Sequence, residues 1–221
     1  MLLAEVAILS AVPPHPGLVR LLQVACTPAA VALNLEYICG GDLFAYILEA
    51  GGLDEAEARP LFAQIVAALE HLRAHGICHR DVKPENCCFA DPMRRVIKVV
   101  DLGAAAFISS AGFTSLAGTP LYAAPEICPV SGSLQPYGAE VDLWALGATL
   151  YVMLSGEPPY DQSLEERISR ASPYVLSSSG VPMSSAAWRG VSNEAMRLIL
   201  SLMSRRPESR PAYAAVRAHP W

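Results

Sequence analysis

Between residues 77 and 90 the chain reads ICHRDVKPENCCFA, which places His79, Arg80, Asp81, Lys83 and Asn86 within eight positions flanked by apolar residues. An aspartate, a lysine two residues on and an asparagine three beyond that can converge on one reacting phosphoryl group. Asp81 can accept a hydroxyl proton, Lys83 can neutralise a transferring phosphate, and the Asn86 amide oxygen suits a hard cation. Such a cation needs a further oxygen ligand. The run VIKVVDLGAAAF offers one: an apolar strand, Val96 to Val100, ends at Asp101 with Gly103 close behind, so a carboxylate stands at a strand-to-loop turn.

These groups must be held by the elements around them. The first ten residues carry Leu2, Leu3, Val6, Ile8 and Leu9 near helical spacing, and VPPHPG stops that helix. LVRLLQVACT and VALNLEYIC read as a pair of antiparallel strands parted by Pro28. After GGD the pattern turns helical. From Asp54 to His75 an amphipathic helix is predicted, with Asp54 and Glu57 at capping-box spacing and Leu61, Ile65, Leu69 and Leu72 as its apolar stripe. Gly76 ends it, and Pro60 is expected to distort its first turn. Further helices are predicted over AEVDLWALGATLYVML, DQSLEERISRA, SNEAMRLILSLMS with Ser192 as N-cap, and PAYAAVRA, while SSSGVPMSS (177–185) reads as a surface loop. The coarse picture is a small β portion on a large helical body.

Composition narrows the function classes. At 221 residues the chain can bury a sizeable core, and 52% hydrophobic residues dispersed in short runs argue against disorder. The longest uncharged apolar stretch, Leu143 to Leu154, falls short of the roughly 20 residues of a membrane span and reads as a buried core helix. MLLAEVAILSAV carries Glu5 and no preceding Lys or Arg, unlike a secretory signal. Six cysteines without a C-x-x-C pair suggest buried, reduced thiols in a cytoplasmic or nuclear protein, without a zinc site. A net charge of −5 with no block of Lys or Arg leaves no footprint for nucleic acid.

Four motifs in order carry a resemblance. HRDVKPEN resembles the catalytic loop of a eukaryotic protein kinase, DLG its metal-binding D-F-G with Leu102 for Phe, GTPLYAAPE the end of its activation segment, and DLWALG its central-helix motif. The resemblance implies an α+β, protein-kinase-like fold: a truncated β small lobe over residues 1–38 and a mostly α-helical large lobe over 39–221. It implies ATP and Mg²⁺, with Asp81 as catalytic base, Lys83 at the γ-phosphate, and Asn86 and Asp101 as metal ligands. LNLEYICGGD resembles the hinge, with Leu35 as gatekeeper, backbone groups of Glu36 and Ile38 facing adenine, Asp42 near the ribose and Cys88 beneath adenine. Glu126 would pair structurally with Arg210, and Asp142 would anchor the catalytic loop.

Lys83 and Thr119 resemble serine/threonine kinases, so the implied partners are proteins bearing Ser or Thr targets. The closing residues, through HPW, are similar to calcium/calmodulin-dependent and checkpoint kinases. Thr114 and Ser115 stand where an activating phosphate is expected, with Arg80 to meet its charge of about −2. Asp42 and Glu85 are expected to hold an arginine three residues before the target hydroxyl, and Leu116, Pro120 and Ala123 to line an apolar pocket for the residue after it.

Glu5 sits where such kinases place the glutamate of their regulatory helix, so the chain is expected to begin inside that helix. No G-x-G-x-x-G and no V-A-I-K strand occurs in the 221 residues, and neither Lys83 nor Lys98 is expected to replace the phosphate-clamping lysine. Loss of one such clamp commonly costs factors of about 10² to 10³ in rate. Two readings therefore stand side by side: the catalytic region of an active Ser/Thr kinase, and a kinase-like fragment that binds partners through its helical lobe.

Overall fold

The computed structural model describes residues 2–28, 30–127, 134–159, 183 and 186–221. Helix α1 (Leu2–Ala11) ends just before Pro13 and Pro14, which lack the N–H to continue it. Strands β1 (Leu21–Cys26) and β2 (Val31–Leu35) form an antiparallel hairpin whose register slips between Leu21 and Gln23. The strand predicted from residue 18 is shorter than expected, because Leu18 and Val19 leave the hairpin and join the large body. Val19 N–H donates to Val99 O at 3.0 Å and Val99 N–H to Gly17 O at 2.8 Å, and both Leu18 and Val19 are buried.

Helix α2 (Leu43–Ala50) starts at Asp42, whose carboxylate accepts the Ala45 N–H at 2.8 Å. Helix α3 (Glu55–Ala74) is capped by Asp54, which accepts the Glu57 N–H at 2.8 Å, and buries the predicted stripe of Leu61, Ile65, Leu69 and Leu72. Fully burying each such side chain stabilises by about 1.5–3 kcal/mol. Two expectations change here. Only half of the capping box forms, since the Glu57 carboxylate accepts from the Tyr46 hydroxyl instead of turning back on Asp54. The helix also runs unbroken through Pro60, where the missing N–H forfeits a single bond to the first turn.

Past Gly76, strand β3 (Ile77–Cys78) pairs with β6 (Ala106–Phe107), and β4 (Cys87–Phe89) pairs with β5 (Ile97–Val99), both antiparallel. The two pairs frame residues 79–86 on one side and the turn at Asp101 on the other. Helix α4 (Val141–Ser155) buries all 15 of its residues, as expected of a core helix. Against it lies α5 (Asn193–Leu202), capped by Ser192 through the Ala195 N–H at 3.1 Å, and α6 (Tyr213–Arg217) closes the chain. The helix predicted over residues 161–171 lies outside the described residues, as does the loop 177–185 apart from Met183.

Among the described residues no helix is long and apolar enough to cross a membrane. The described cysteines are free thiols, but Cys26 and Cys39 are exposed, contrary to the expectation of burial. Cys26 closes a hairpin strand that faces solvent, and Cys39 lies on the extended segment after β2, where only its own Sγ approaches Ala90 O at 3.8 Å.

Candidate active site

Local backbone geometry decides where Asp81 points. Arg80 adopts φ 66°, a left-handed conformation that costs a non-glycine residue roughly 1–3 kcal/mol and persists only when its surroundings enforce it. Asp142, buried at the start of α4, does so: its Oδ2 accepts the His79 N–H at 2.7 Å and its Oδ1 the Arg80 N–H at 2.8 Å. The wholly buried His79 ring adds a second brace. Its Nδ1 accepts the Asp81 N–H at 3.2 Å and its Nε2 donates to Val100 O at 3.1 Å, linking the loop to the strand that leads to Asp101.

Asp81 thereby enters a polar cluster. Its Oδ1 accepts from the Thr119 hydroxyl at 2.7 Å, its Oδ2 meets Lys83 Nζ at 2.9 Å, and Asn86 Nδ2 donates to that oxygen at 3.1 Å and to the Asp81 carbonyl at 2.9 Å. Lys83 Nζ also donates to the Thr119 hydroxyl at 2.5 Å. Burial by itself would raise the Asp81 carboxyl, but the hydrogen bonds from Lys83 and Thr119, with the lysine charge, hold it below the ordinary aspartate range. Asp81 is thus ionised at neutral pH. Gly118 makes the approach possible: it has φ 97°, and a Cβ there would sit 2.5 Å from Arg80 O.

Asp101 also adopts a left-handed backbone, φ 58°, and its Oδ1 accepts the Gly103 N–H at 3.1 Å, so the turn aims an exposed carboxylate outward. Asn86 is tied to the same strand through the Val100 N–H, which donates to Asn86 O at 2.9 Å. Glu5 on α1 faces this turn; its carboxyl is raised, first by burial and then by the Asp101 charge. A carboxylate and an amide oxygen, supplied by Asp101 and Asn86, are donor types that fit a hard divalent cation. The Asn86 amide nitrogen is committed to Asp81.

The protein kinase domain family matches this sequence over residues 1–221. The chain belongs to the protein kinase domain family. Calcium/calmodulin-dependent protein kinase type 1B of Homo sapiens is 36% identical over 219 residues, covering 98% of this chain and 61% of that protein. The SNF1-related protein kinase catalytic subunit alpha KIN12 of Arabidopsis thaliana is 36% identical over 212 residues, 94% of this chain and 39% of that protein. Calcium-dependent protein kinase 9 of Oryza sativa subsp. japonica is 33% identical over 219 residues, 98% of this chain and 37% of that protein. The chain thus spans less than two thirds of the length of these relatives. The α+β fold of this kinase domain is as the sequence implied.

Within the kinase domain the other predicted site residues lie on the segment after β2, on β4 and on the activation segment. Leu35 ends β2, and Glu36, Ile38 and Asp42 follow on the extended segment that leads into α2. Gly40 lets that segment touch the β4–β5 hairpin, since a Cβ there would stand 2.2 Å from Asp91 O. Cys88 on β4 bridges to Asp42 and is half-buried; burial and then Asp42 push its thiol up. On the activation segment the structure separates two candidates. Thr114 and Ser115 are both exposed, but it is Ser115 that Arg80 reaches: Nη1 donates to Ser115 Oγ at 3.0 Å, Nε donates to Ala104 O at 2.7 Å, and the guanidinium lies over Phe113 at 5.0 Å.

A small cleft beside Asp81 is lined by Gly118, Thr119, Tyr122 and Ala123, without Leu116, which is 62% exposed, and without Pro120, which opens a 3-10 turn. Glu85 leaves its Oε2 buried with no hydrogen-bond partner, while burial and the Glu85 charge push the neighbouring Tyr122 hydroxyl up. Arg210 and Glu126 pair at 2.6 and 2.8 Å, as expected. Sequence reasoning passed over two contributors. His79 braces the loop, a role its place before Arg80 could have signalled, and Lys98 binds Glu36, with no signal beyond a lone lysine in an apolar strand.

Proposed function

We propose that this chain is the catalytic portion of a protein serine/threonine kinase of the cytoplasm or nucleus, transferring the γ-phosphate of ATP to Ser or Thr hydroxyls of protein substrates. Residues 1–38 belong to its small lobe and 39–221 to its large lobe. The observation that carries the reading is the convergence of Lys83, Thr119 and Asn86 on an ionised Asp81, one strand away from the exposed Asp101.

In this reading a substrate hydroxyl donates its proton to the Asp81 carboxylate as its oxygen bonds to the γ-phosphorus and the bond to ADP breaks. Thr119 and Asn86 hold the carboxylate in place, and Lys83 offsets charge on the moving phosphoryl group. Asn86 and Asp101 would hold Mg²⁺, which when bound would neutralise phosphate charge. Backbone groups of Glu36 and Ile38 recognise adenine behind the Leu35 gatekeeper, Cys88 forms the floor, and Asp42 reaches the ribose with the oxygen that does not cap α2. The carboxylates of Asp42 and Glu85 favour an arginine three residues before the target, each charge-assisted bond contributing about 1.5–3 kcal/mol. Ala123, on the cleft beside Asp81, favours an apolar residue after the target. Of the two activation-segment hydroxyls, Ser115 is the better phosphate acceptor because Arg80 already reaches it.

The test is phosphate transfer from Mg²⁺-ATP to a peptide with Arg three residues before Ser. The 221 residues by themselves bind nucleotide weakly and transfer negligibly, because they contain no glycine-rich loop and no V-A-I-K lysine. Extended at the N-terminus with those strands from a relative, the chain phosphorylates the peptide. Asp81→Asn lowers that rate at least about 10²-fold, and Glu85→Gln removes the preference for arginine. Absence of transfer in the extended chain, or equal rates with Asp81→Asn, refutes the reading.

A further inference from the structure

We propose that Lys98 is a positioning residue for the adenine-binding backbone at Glu36, an inference that rests on the nucleotide site proposed above. Lys98 lies mid-strand in β5, opposite Cys88 on β4, and the same strand leads on to Asp101. Its Nζ donates to Leu18 O at 3.2 Å and to Glu36 Oε1 at 2.8 Å. The same carboxylate oxygen accepts the Arg20 N–H at 2.7 Å, and the Glu36 N–H donates to Arg20 O at 3.0 Å. Glu36 is therefore tied through both its side chain and its backbone.

The pair is well shielded. The Lys98 and Glu36 side chains are only 16% and 20% exposed, on the wall of a cleft of about 370 Å³ that Leu9, Leu21 and Leu102 also line. A shielded pair with satisfied partners holds one geometry, unlike a solvent-exposed pair, and removing one member leaves a carboxylate short of its counter-charge. Lys98 spends its hydrogen bonds on the segment before β1 and on Glu36, and so bears on the nucleotide through the hinge. Without it the Glu36 carboxylate turns to water, leaving the Arg20 N–H, and the backbone at Glu36 loses its side-chain tether.

Equilibrium binding of adenosine and of Mg²⁺-ATP to the 221-residue chain tests this, with hydrogen exchange at the Glu36 amide alongside. Lys98→Met should weaken adenosine binding about tenfold and ATP binding by the same factor, because the lost term sits at adenine; tenfold is about 1.4 kcal/mol. Lys98→Arg should restore affinity to within about threefold, since the guanidinium can still pair with the carboxylate. Glu36→Gln, the second variant should Lys98→Met not fold, should show a similar loss that Lys98→Met does not deepen. Adenosine affinity unchanged in Lys98→Met overturns the assignment, as does a loss that arginine fails to rescue or that falls on ATP alone. If the wild-type chain binds no adenosine, the nucleotide reading of this chain fails by itself. Amide exchange then decides Lys98: faster exchange at Glu36 in Lys98→Met upholds the tether, and an unchanged rate removes it.

Discussion

Replacing Arg210 by methionine separates what holds this kinase domain together from what performs its chemistry. The Arg210 side chain is completely buried and its partner Glu126 is 19% exposed. Its guanidinium donates two bonds to the Glu126 carboxylate at 2.6 and 2.8 Å, one to Glu140 O at 2.8 Å and one to Ser204 O at 3.0 Å, with its centre 5.2 Å from the Trp144 ring. Methionine fills much of the volume but supplies none of the four bonds and strands the Glu126 carboxylate. Breaking a buried pair from one side costs about 3–5 kcal/mol. At about 2–4 °C per kcal/mol for a chain of this size, Tm falls by roughly 6–20 °C. Urea unfolding followed by circular dichroism measures the loss. The double variant Arg210→Met with Glu126→Gln should recover part of it, since no unpaired charge remains. Nucleotide affinity, measured well below the lowered Tm, should be unchanged because no site residue touches Arg210. A loss below about 1 kcal/mol, the range of an exposed pair, refutes the reasoning.

Acid sensitivity should trace to His15, which stacks on His71 at 4.7 Å and accepts the Gly17 N–H at Nδ1. Burial first, then His71 and Lys98, lower its pKa. The unfolded chain therefore takes up this proton at higher pH than the folded one, and the stability present above about pH 6.5 is lost as pH falls through the folded value. His15→Asn keeps an acceptor for Gly17 and should flatten melting temperature between pH 7 and pH 5; an unaltered slope rejects this. Alkylation of the native chain should reach Cys26 and Cys39 first and spare Cys78 and Cys87 until unfolding, because burial pushes both of those thiols up. Mass spectrometry of labelled peptides checks the order, and early labelling of Cys87 contradicts it.

Local and periodic features of this protein were legible from its residues alone. The 3.6-residue stripe of α3, the caps at Asp54 and Ser192 and the apolar run of α4 each depend on neighbours within a turn or two, so the sequence by itself determined them. The order of HRDVKPEN, DLG, GTPLYAAPE and DLWALG likewise disclosed the family. Contacts between distant segments leave no such trace. Thr119 reaches Asp81 across 38 positions, Lys98 reaches Glu36 across 62, and Arg80 meets Ser115 rather than the adjacent Thr114. Glu57 was expected to fold back on its own cap but accepts from the hydroxyl of Tyr46, eleven residues away on α2. Leu18 and Val19, strand-like in pattern, left the hairpin because Val99 offered hydrogen bonds and a buried face. In each case several partners satisfy the same local chemistry, and only the packing of whole elements against one another selects which of them comes within reach.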